Sequence, residues 1–265
     1  MSICIPSFNA AGFIRESILS VFDQDYTNIE LIVVDDASSD ETVSIVSELI
    51  ANVCVPVVFV VNTSNLGLAD NWNKALDLAS GKYIKLLPSD DKISVNCISK
   101  SVEAMEAHDE VVMAFSPRVV IDRDSVEKLQ INFFNEGVVS AKRLIYSSML
   151  FGTNLIGEPG AVLFKSEVVR KIGGFDGALP YVIDLDYWVR LLQYGSGYKL
   201  SGSKAYFRIS DNLSVSLGPT RFKDFSQFLK KITHKYNHPK LFMYLGIVVA
   251  FVNDGIRKIV HRKII

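Results

Sequence analysis

The sequence predicts an α/β fold: a mostly parallel, mixed sheet with helices on both faces and further helices at the C-terminal end. Strand-like and helix-like runs alternate through the first half in the order β-α-β-α-β-α-β. Alternation of that kind implies parallel strands joined by crossover helices. Two apolar runs, Leu31 to Val34 and Tyr83 to Leu87, lead into paired acids, Asp35-Asp36 and Asp90-Asp91. Carboxyl ends of strands are where open α/β sheets bind ligands. Four carboxylates on one rim repel unless they hold a cation, accept hydrogen bonds or titrate.

Each element follows from its local pattern. Ile3 to Pro6 reads as the first strand, and Ala11 to Phe22 as a helix with Ile14, Ile18, Val21 and Phe22 on one face. After the second strand, Ser38 to Glu41 offers an N-cap followed by an acid, then Val43, Val46, Leu49 and Ile50 recur at helical spacing. Val57 to Val61 is a third strand, Leu66 to Ala79 a third helix with Ser80-Gly81 as its stop, and Tyr83 to Leu87 a fourth strand. Beyond it the pattern is less regular. Val111 to Phe115 and Arg118 to Ile121 read as strands around Ser116-Pro117, and Ala161 to Lys165 as another. Ala141 to Leu150, Ser166 to Ile172 (ended by Gly173-Gly174) and Asp184 to Tyr194 read as helices.

Composition bounds the classes. At 265 residues, 49% hydrophobic and 22% charged, the chain suits one sizeable core. Cys4, Cys54 and Cys97 have no metal-ligand spacing and read as thiols of a reducing compartment. The chain opens directly on strand-like residues, which reads as no secretion signal. The net charge of −1 hides an asymmetry: residues 221–265 hold ten Lys or Arg against two Asp or Glu. No nucleic-acid-binding motif accompanies them, so no nucleic-acid partner is expected. Leu241 to Phe251 is an apolar run flanked by basic residues. It is about half of the ~20 residues that span a bilayer. An interfacial helix facing anionic lipid is the preferred reading, and packing on the catalytic body or another subunit the alternative.

No GxGxxG follows the first strand and no P-loop is present; the chain reads Pro6-Ser-Phe-Asn-Ala-Ala-Gly12. Phosphate must be handled otherwise, and a divalent cation on carboxylates is one means. Ile5-Pro-Ser-Phe-Asn9, Val33-Val-Asp-Asp-Ala-Ser-Ser-Asp40, Asn65-Leu-Gly67 with Asn73, and Gly81-Lys-Tyr-Ile through Asp90-Asp91 resemble family 2 glycosyltransferases in order and spacing. Gly173-Gly-Phe-Asp176 and Asp184-Leu-Asp-Tyr-Trp-Val-Arg190 are similar to that family's acceptor-side motifs.

The resemblance implies a GT-A fold, a nucleotide-diphosphate sugar donor (a UDP-sugar favoured), a Mg²⁺ or Mn²⁺ ion and an inverting displacement. It implies that Pro6, Phe8 and Asn9 border the nucleotide with Asn73 nearby, that Asp36 bonds the base, and that Asp35 supports it. Asp90 would contact ribose or metal, Asp91 would ligate the metal, and Asp184 would be the general base. Glu158, Phe175 and Trp188 would border a glycan or lipid-linked acceptor, with a surface loop acid the alternative for Glu158 and core packing that for Trp188; Asp186 is read as structural, and Trp72 as packing or sugar stacking. The expected organisation is a catalytic domain over residues 1–220 (1–92 for the donor, 93–220 for the acceptor) and a helical segment over 221–265. Cytoplasmic location, peripheral at the inner membrane face, and a role in cell-surface polysaccharide synthesis complete the reading. A catalytically silent nucleotide-sugar or glycan-binding module is the alternative. Two positions depart from the family pattern: Pro88 replaces an acid, and Arg208-Ile-Ser210 replaces Arg-x-His, with Asp211 as a substitute ligand.

Overall fold

A computed structural model of the chain describes residues 1–209 and 220–264, with side chains of the last helix described through residue 255. Strands β1 (Ser2–Ser7), β2 (Glu30–Asp35), β3 (Val57–Val61) and β4 (Tyr83–Leu86) run parallel in the order β3-β2-β1-β4. Helices α1 (Ile14–Phe22), α2 (Thr42–Ile50) and α3 (Leu68–Asp77) connect them. Chain order steps outward from β1 to β3 and then returns past β1 to β4. Right-handed crossovers therefore place α1 and α2 on one face and α3 on the other. The β1 and β4 ends flank the point where the order reverses, and a crevice opens there.

The second half extends the sheet through β10 (Val162–Lys165), β6 (Val111–Phe115), β11 (Ser196–Lys199) and β9 (Gly137–Val139). Antiparallel pairings of β10 to both β4 and β6 make the sheet mixed, as expected. Between them lie α4 (Cys97–Ala107), α5 (Ala141–Leu150), α6 (Ser166–Ile172) and α7 (Ile183–Leu191). A small second sheet, ordered β5-β12-β7-β8, joins β5 (Lys92–Ile93), β12 (Ala205–Arg208), β7 (Arg118–Ile121) and β8 (Glu127–Ile131).

The structure departs from the sequence reading in local ways. The strands flanking Ser116-Pro117 form no hairpin; β6 and β7 enter different sheets, and Ser116 N–H instead bonds Ala161 O. The N-cap of α2 is Glu41 rather than Ser38 and makes no side-chain cap bond; one residue earlier, Asp40 Oδ1 accepts from the backbone N–H and hydroxyl of Thr42. Helix α3 ends at Asp77, and Ser80-Gly81 instead donate to the Glu30 carboxylate.

The C-terminal residues form α8 (Arg221–Lys235) and α9 (Lys240–Ile264). Phe225, Phe228, Leu229 and Ile232 of α8 are buried in the core. Helix α9 lies against α5 and α8, so its inner side meets the packing alternative while its outer side stays exposed. Gly152, in the turn after α5, makes this docking tight. Its φ of +59° is left-handed, and a Cβ there would sit 2.6 Å from the Ala250 backbone nitrogen. Gly152→Val is expected to lower stability by roughly 2 kcal/mol or more, read by thermal denaturation. An unchanged melting temperature would show that α9 is not clamped at this point.

Candidate active site

A cleft of about 940 Å³ opens at the reversal point of the sheet. Its lining includes Pro6 at the end of β1, Phe8 and Asn9 just after it, Asp36 after β2, Asp90 and Asp91 after β4, and Glu158 and Asp184 from the second half. Residues far apart in sequence thus converge where the parallel strands end. The first-strand loop is held by its own turn chemistry: Asn9 adopts φ 47° and its side-chain oxygen accepts the Ser39 N–H. Asn is one of the few residues that tolerate that region.

The aspartates of the first pair divide. Asp36, almost fully buried, accepts from Asn62 Nδ2, Leu66 N–H and Gly67 N–H. A carboxylate has about four acceptor positions, so about one remains for a ligand donor. Asp35 does not reach the cleft. It is fully buried and accepts from Ser7 Oγ, Ser38 N–H and Ser38 Oγ, pinning the turn that presents Asp36.

In the second pair, Asp91 is buried and its Oδ1 accepts the Arg208 N–H at 2.9 Å. Burial, then the charge of Asp90, holds its carboxyl well above the usual range. A cation relieves such a pair, and two hard oxygen donors suit Mg²⁺ or Mn²⁺ beside phosphate and water. Among the described residues, no three His, Cys, Asp or Glu side chains gather into a site of their own. Ser210 and Asp211 lie outside the described residues.

The acceptor-side residues sort by burial. Glu158 faces the cleft and is paired with the guanidinium of Arg118 at 2.9 Å. Phe175 and Trp188 are core residues, not cleft walls. Phe175 stacks on Tyr187 at 3.9 Å, and Trp188, with no exposed surface, donates Nε1–H to Gly157 O. Asn73 is likewise turned away from the cleft: it bonds both backbone groups of Phe175, and a Cβ on Gly174 would lie 2.3 Å from the Asn73 side chain and displace it. Trp72 does line the cleft while making an edge contact with Phe175. Asp186 pairs with Arg190 and Lys231, as a structural acid would.

The model of the family Glycosyl transferase family 2 matches residues 2–173. The chain belongs to that family. An uncharacterized protein of Mycobacterium tuberculosis is 30% identical over 205 residues, 72% of this chain and 61% of its own length. The UDP-Glc:alpha-D-GlcNAc-diphosphoundecaprenol beta-1,3-glucosyltransferase WfaP of Escherichia coli is 28% identical over 90% of this chain and 88% of its own. Among solved structures, S. aureus TarS with UDP-GlcNAc superposes at TM-score 0.70 and 20% identity, covering 88% of this chain and 66% of that one. The Pyrobaculum calidifontis mannosyltransferase PcManGT, with GDP-Man and Mn²⁺, superposes at TM-score 0.67 and 19% identity, covering 94% and 68%. These likenesses establish the GT-A fold.

Within this family 2 chain, Asp184 has the best-defined surroundings. Its Oδ2 accepts from Asn154 Nδ2 at 2.8 Å and its Oδ1 from Leu185 N–H at 2.7 Å. Burial first, then the nearby charge of Glu158, pushes its pKa up to about 7; the hydrogen bonds and Arg118 oppose the rise. Asn154 and Arg118 were not singled out from the sequence. Arg118 left one signal, a charged residue opening an apolar strand, whereas the bond from Asn154 to Asp184 depends on folding. Titration of Asp184 by carboxyl-carbon NMR is expected to show a midpoint near 7. Glu158→Gln is expected to lower it by removing a like charge, and Asn154→Ala to raise it by removing a donor to the ionised form. Movement in the opposite directions would refute this network.

Proposed function

We propose that the chain transfers a sugar, with inversion, from a nucleoside-diphosphate donor to a hydroxyl of a glycan or lipid-linked glycan. The observation that carries this reading is the convergence of Asp36, Asp90, Asp91 and Asp184 on one cleft, where burial and the charge of Glu158 push the Asp184 pKa up to about 7. Pro6, Phe8 and Asn9 border the nucleotide, and the remaining acceptor position of Asp36 takes a base N–H, while Asp35 acts from behind. A UDP-sugar is the favoured donor, in keeping with the UDP named for WfaP and TarS. Residues 1–92 hold the donor, 93–220 receive the acceptor, and 221–265 form an appended helical segment. A place in cell-surface polysaccharide synthesis, on the cytoplasmic side, is part of this reading, and the diphosphoundecaprenol-linked acceptor named for WfaP supports a lipid-linked glycan.

The chemistry follows from charge. The acceptor hydroxyl attacks the anomeric carbon as the bond from that carbon to the diphosphate oxygen breaks. Asp184 takes the hydroxyl proton during attack, so it must be ionised while remaining basic. A pKa near 7 satisfies both requirements at neutral pH, whereas an ordinary aspartate is a weaker base. Held by Asp91 with Asp90, a divalent cation would supply charge neutralisation for the departing diphosphate. In this reading Glu158 bonds acceptor hydroxyls, and its pairing with Arg118, which fixes its orientation, supports that role.

Turnover of UDP-sugars is expected to need Mn²⁺ or Mg²⁺ and to stop with chelator. Asp184→Asn should lower turnover by about 10² to 10⁴-fold with UDP affinity retained. Asp91→Ala should lose metal-dependent UDP binding itself. The rate of the wild type should rise with pH through about 7, because only the ionised Asp184 accepts the proton. Full activity in both variants would sink the assignment, and UDP binding without transfer to any acceptor would make the chain a binding module.

A further inference from the structure

We propose that the outer face of α9 seats on an anionic lipid bilayer, so that the cleft opens beside the membrane surface. The seating stands on the helix itself; only the notion that the acceptor is drawn from that membrane rests on the sugar-transfer reading above.

Leu241, Tyr244, Leu245, Val248, Phe251 and Val252 are exposed, each by 45% or more. Their spacing of three and four residues places them along one stripe, roughly 17 Å long. The other side of the helix is already filled. Gly246 and Ala250 are buried, a Cβ on Gly246 would meet Met149 O at 2.2 Å, and Phe242, Met243 and Ile247 pack on the core. The stripe is therefore not the packing face of a helix awaiting its own body. With one side committed to protein, α9 would lie in the plane of the interface rather than cross it. The apolar surface continues onto Phe151, whose carbonyl accepts from Asn253 Nδ2, and Phe133, whose ring is 4.8 Å from that of Phe151. Both rings are nearly half exposed.

Charge selects the occupant. Residues 221–265 carry ten Lys or Arg and two acids. Both acids are already engaged: Asp224 is buried and accepts the Tyr181 N–H, and Asp254 pairs with Arg221. Lys223, Lys230, Lys235 and Lys240 are exposed. A second copy would set one basic segment against another, whereas anionic headgroups match both the apolar stripe and the basic segment that carries it.

The same face adjoins the cleft by two routes. Arg221 lines the cleft and pairs with Asp254, while the next residue, Phe222, contacts the Phe251 ring at 5.5 Å. From Phe151 the chain runs directly to Thr153 and Asn154, which line the cleft, and Asn154 holds Asp184. A lipid-borne acceptor would thus reach the cleft across the edge of the seated face.

The test is co-sedimentation of the whole chain with vesicles of phosphatidylcholine alone or mixed with phosphatidylglycerol, alongside UDP binding and light scattering. Binding to the mixed vesicles is expected, weaker by about tenfold or more on phosphatidylcholine alone or in high salt. Leu241→Glu combined with Val248→Glu should lose about tenfold or more in vesicle binding, with melting temperature and UDP affinity unchanged, because both side chains are more than 60% exposed. The proposal is overturned if the wild type stays in the supernatant, if the double variant binds vesicles as well as the wild type, or if the wild type is a dimer that the variant disperses. Loss of UDP binding with vesicle binding intact would instead refute the reading of the cleft.

Discussion

The buried guanidinium of Arg208 joins the parts of this molecule that carry its charge. Its Nε donates to Asp90 O, one terminal nitrogen to the carbonyls of Asp122 and Arg123, and the other to Glu16 and Ser125, while its backbone N–H donates to Asp91. All five side-chain donors of an arginine are therefore used. A charge 1% exposed is tolerable only with such saturation. The arrangement fastens the small second sheet, through β12, to the loop after β4. The position of the second aspartate pair is thus a property of two sheets, not of one strand.

The rim carboxylates are unequal because their donors are unequal. Asp35 and Asp36 are surrounded by N–H and O–H groups, and their work is largely to hold the loops after β1 and β2. Asp91 has one backbone donor and a neighbouring like charge, and Asp184 sits near Glu158 with two donors. Burial dominates in the latter two, and both carboxyls are raised. Those are the acids for which a cation or a proton changes the energy most, which is why the proposed chemistry centres on them.

Much of the fold was legible in the sequence. The first four strands and three helices were recovered because each strand is a mostly apolar run, Lys85 in β4 being an exception, and each helix repeats at helical spacing. The second sheet was not recovered as such: β5 has two residues, and β8 is mostly polar and exposed, so neither leaves a hydrophobic signature. Of the candidate site, Pro6, Phe8, Asn9, Asp36, Asp90, Asp91, Glu158 and Asp184 line one cleft, whereas Asp35 is held behind it by Ser7 and Ser38. Asn73, Phe175 and Trp188 do not line it, because contacts with the Phe175 backbone, Tyr187 and Gly157 draw them into the packing behind it. Type and spacing cannot tell a residue that touches a ligand from one that holds the loop that does.

By itself, the sequence determined the parallel half of the sheet, the acids placed at its carboxyl edge, the family, and the basic apolar tail. These are set by local periodicity and residue chemistry, which survive without knowledge of partners. Only the tertiary structure decided which acid is held by which donor, that Arg118 and Asn154 surround Asp184, and that α9 buries one side while exposing the other. Those outcomes depend on groups tens of residues apart meeting in a low-dielectric interior, where a single hydrogen bond or like charge shifts a carboxyl's protonation.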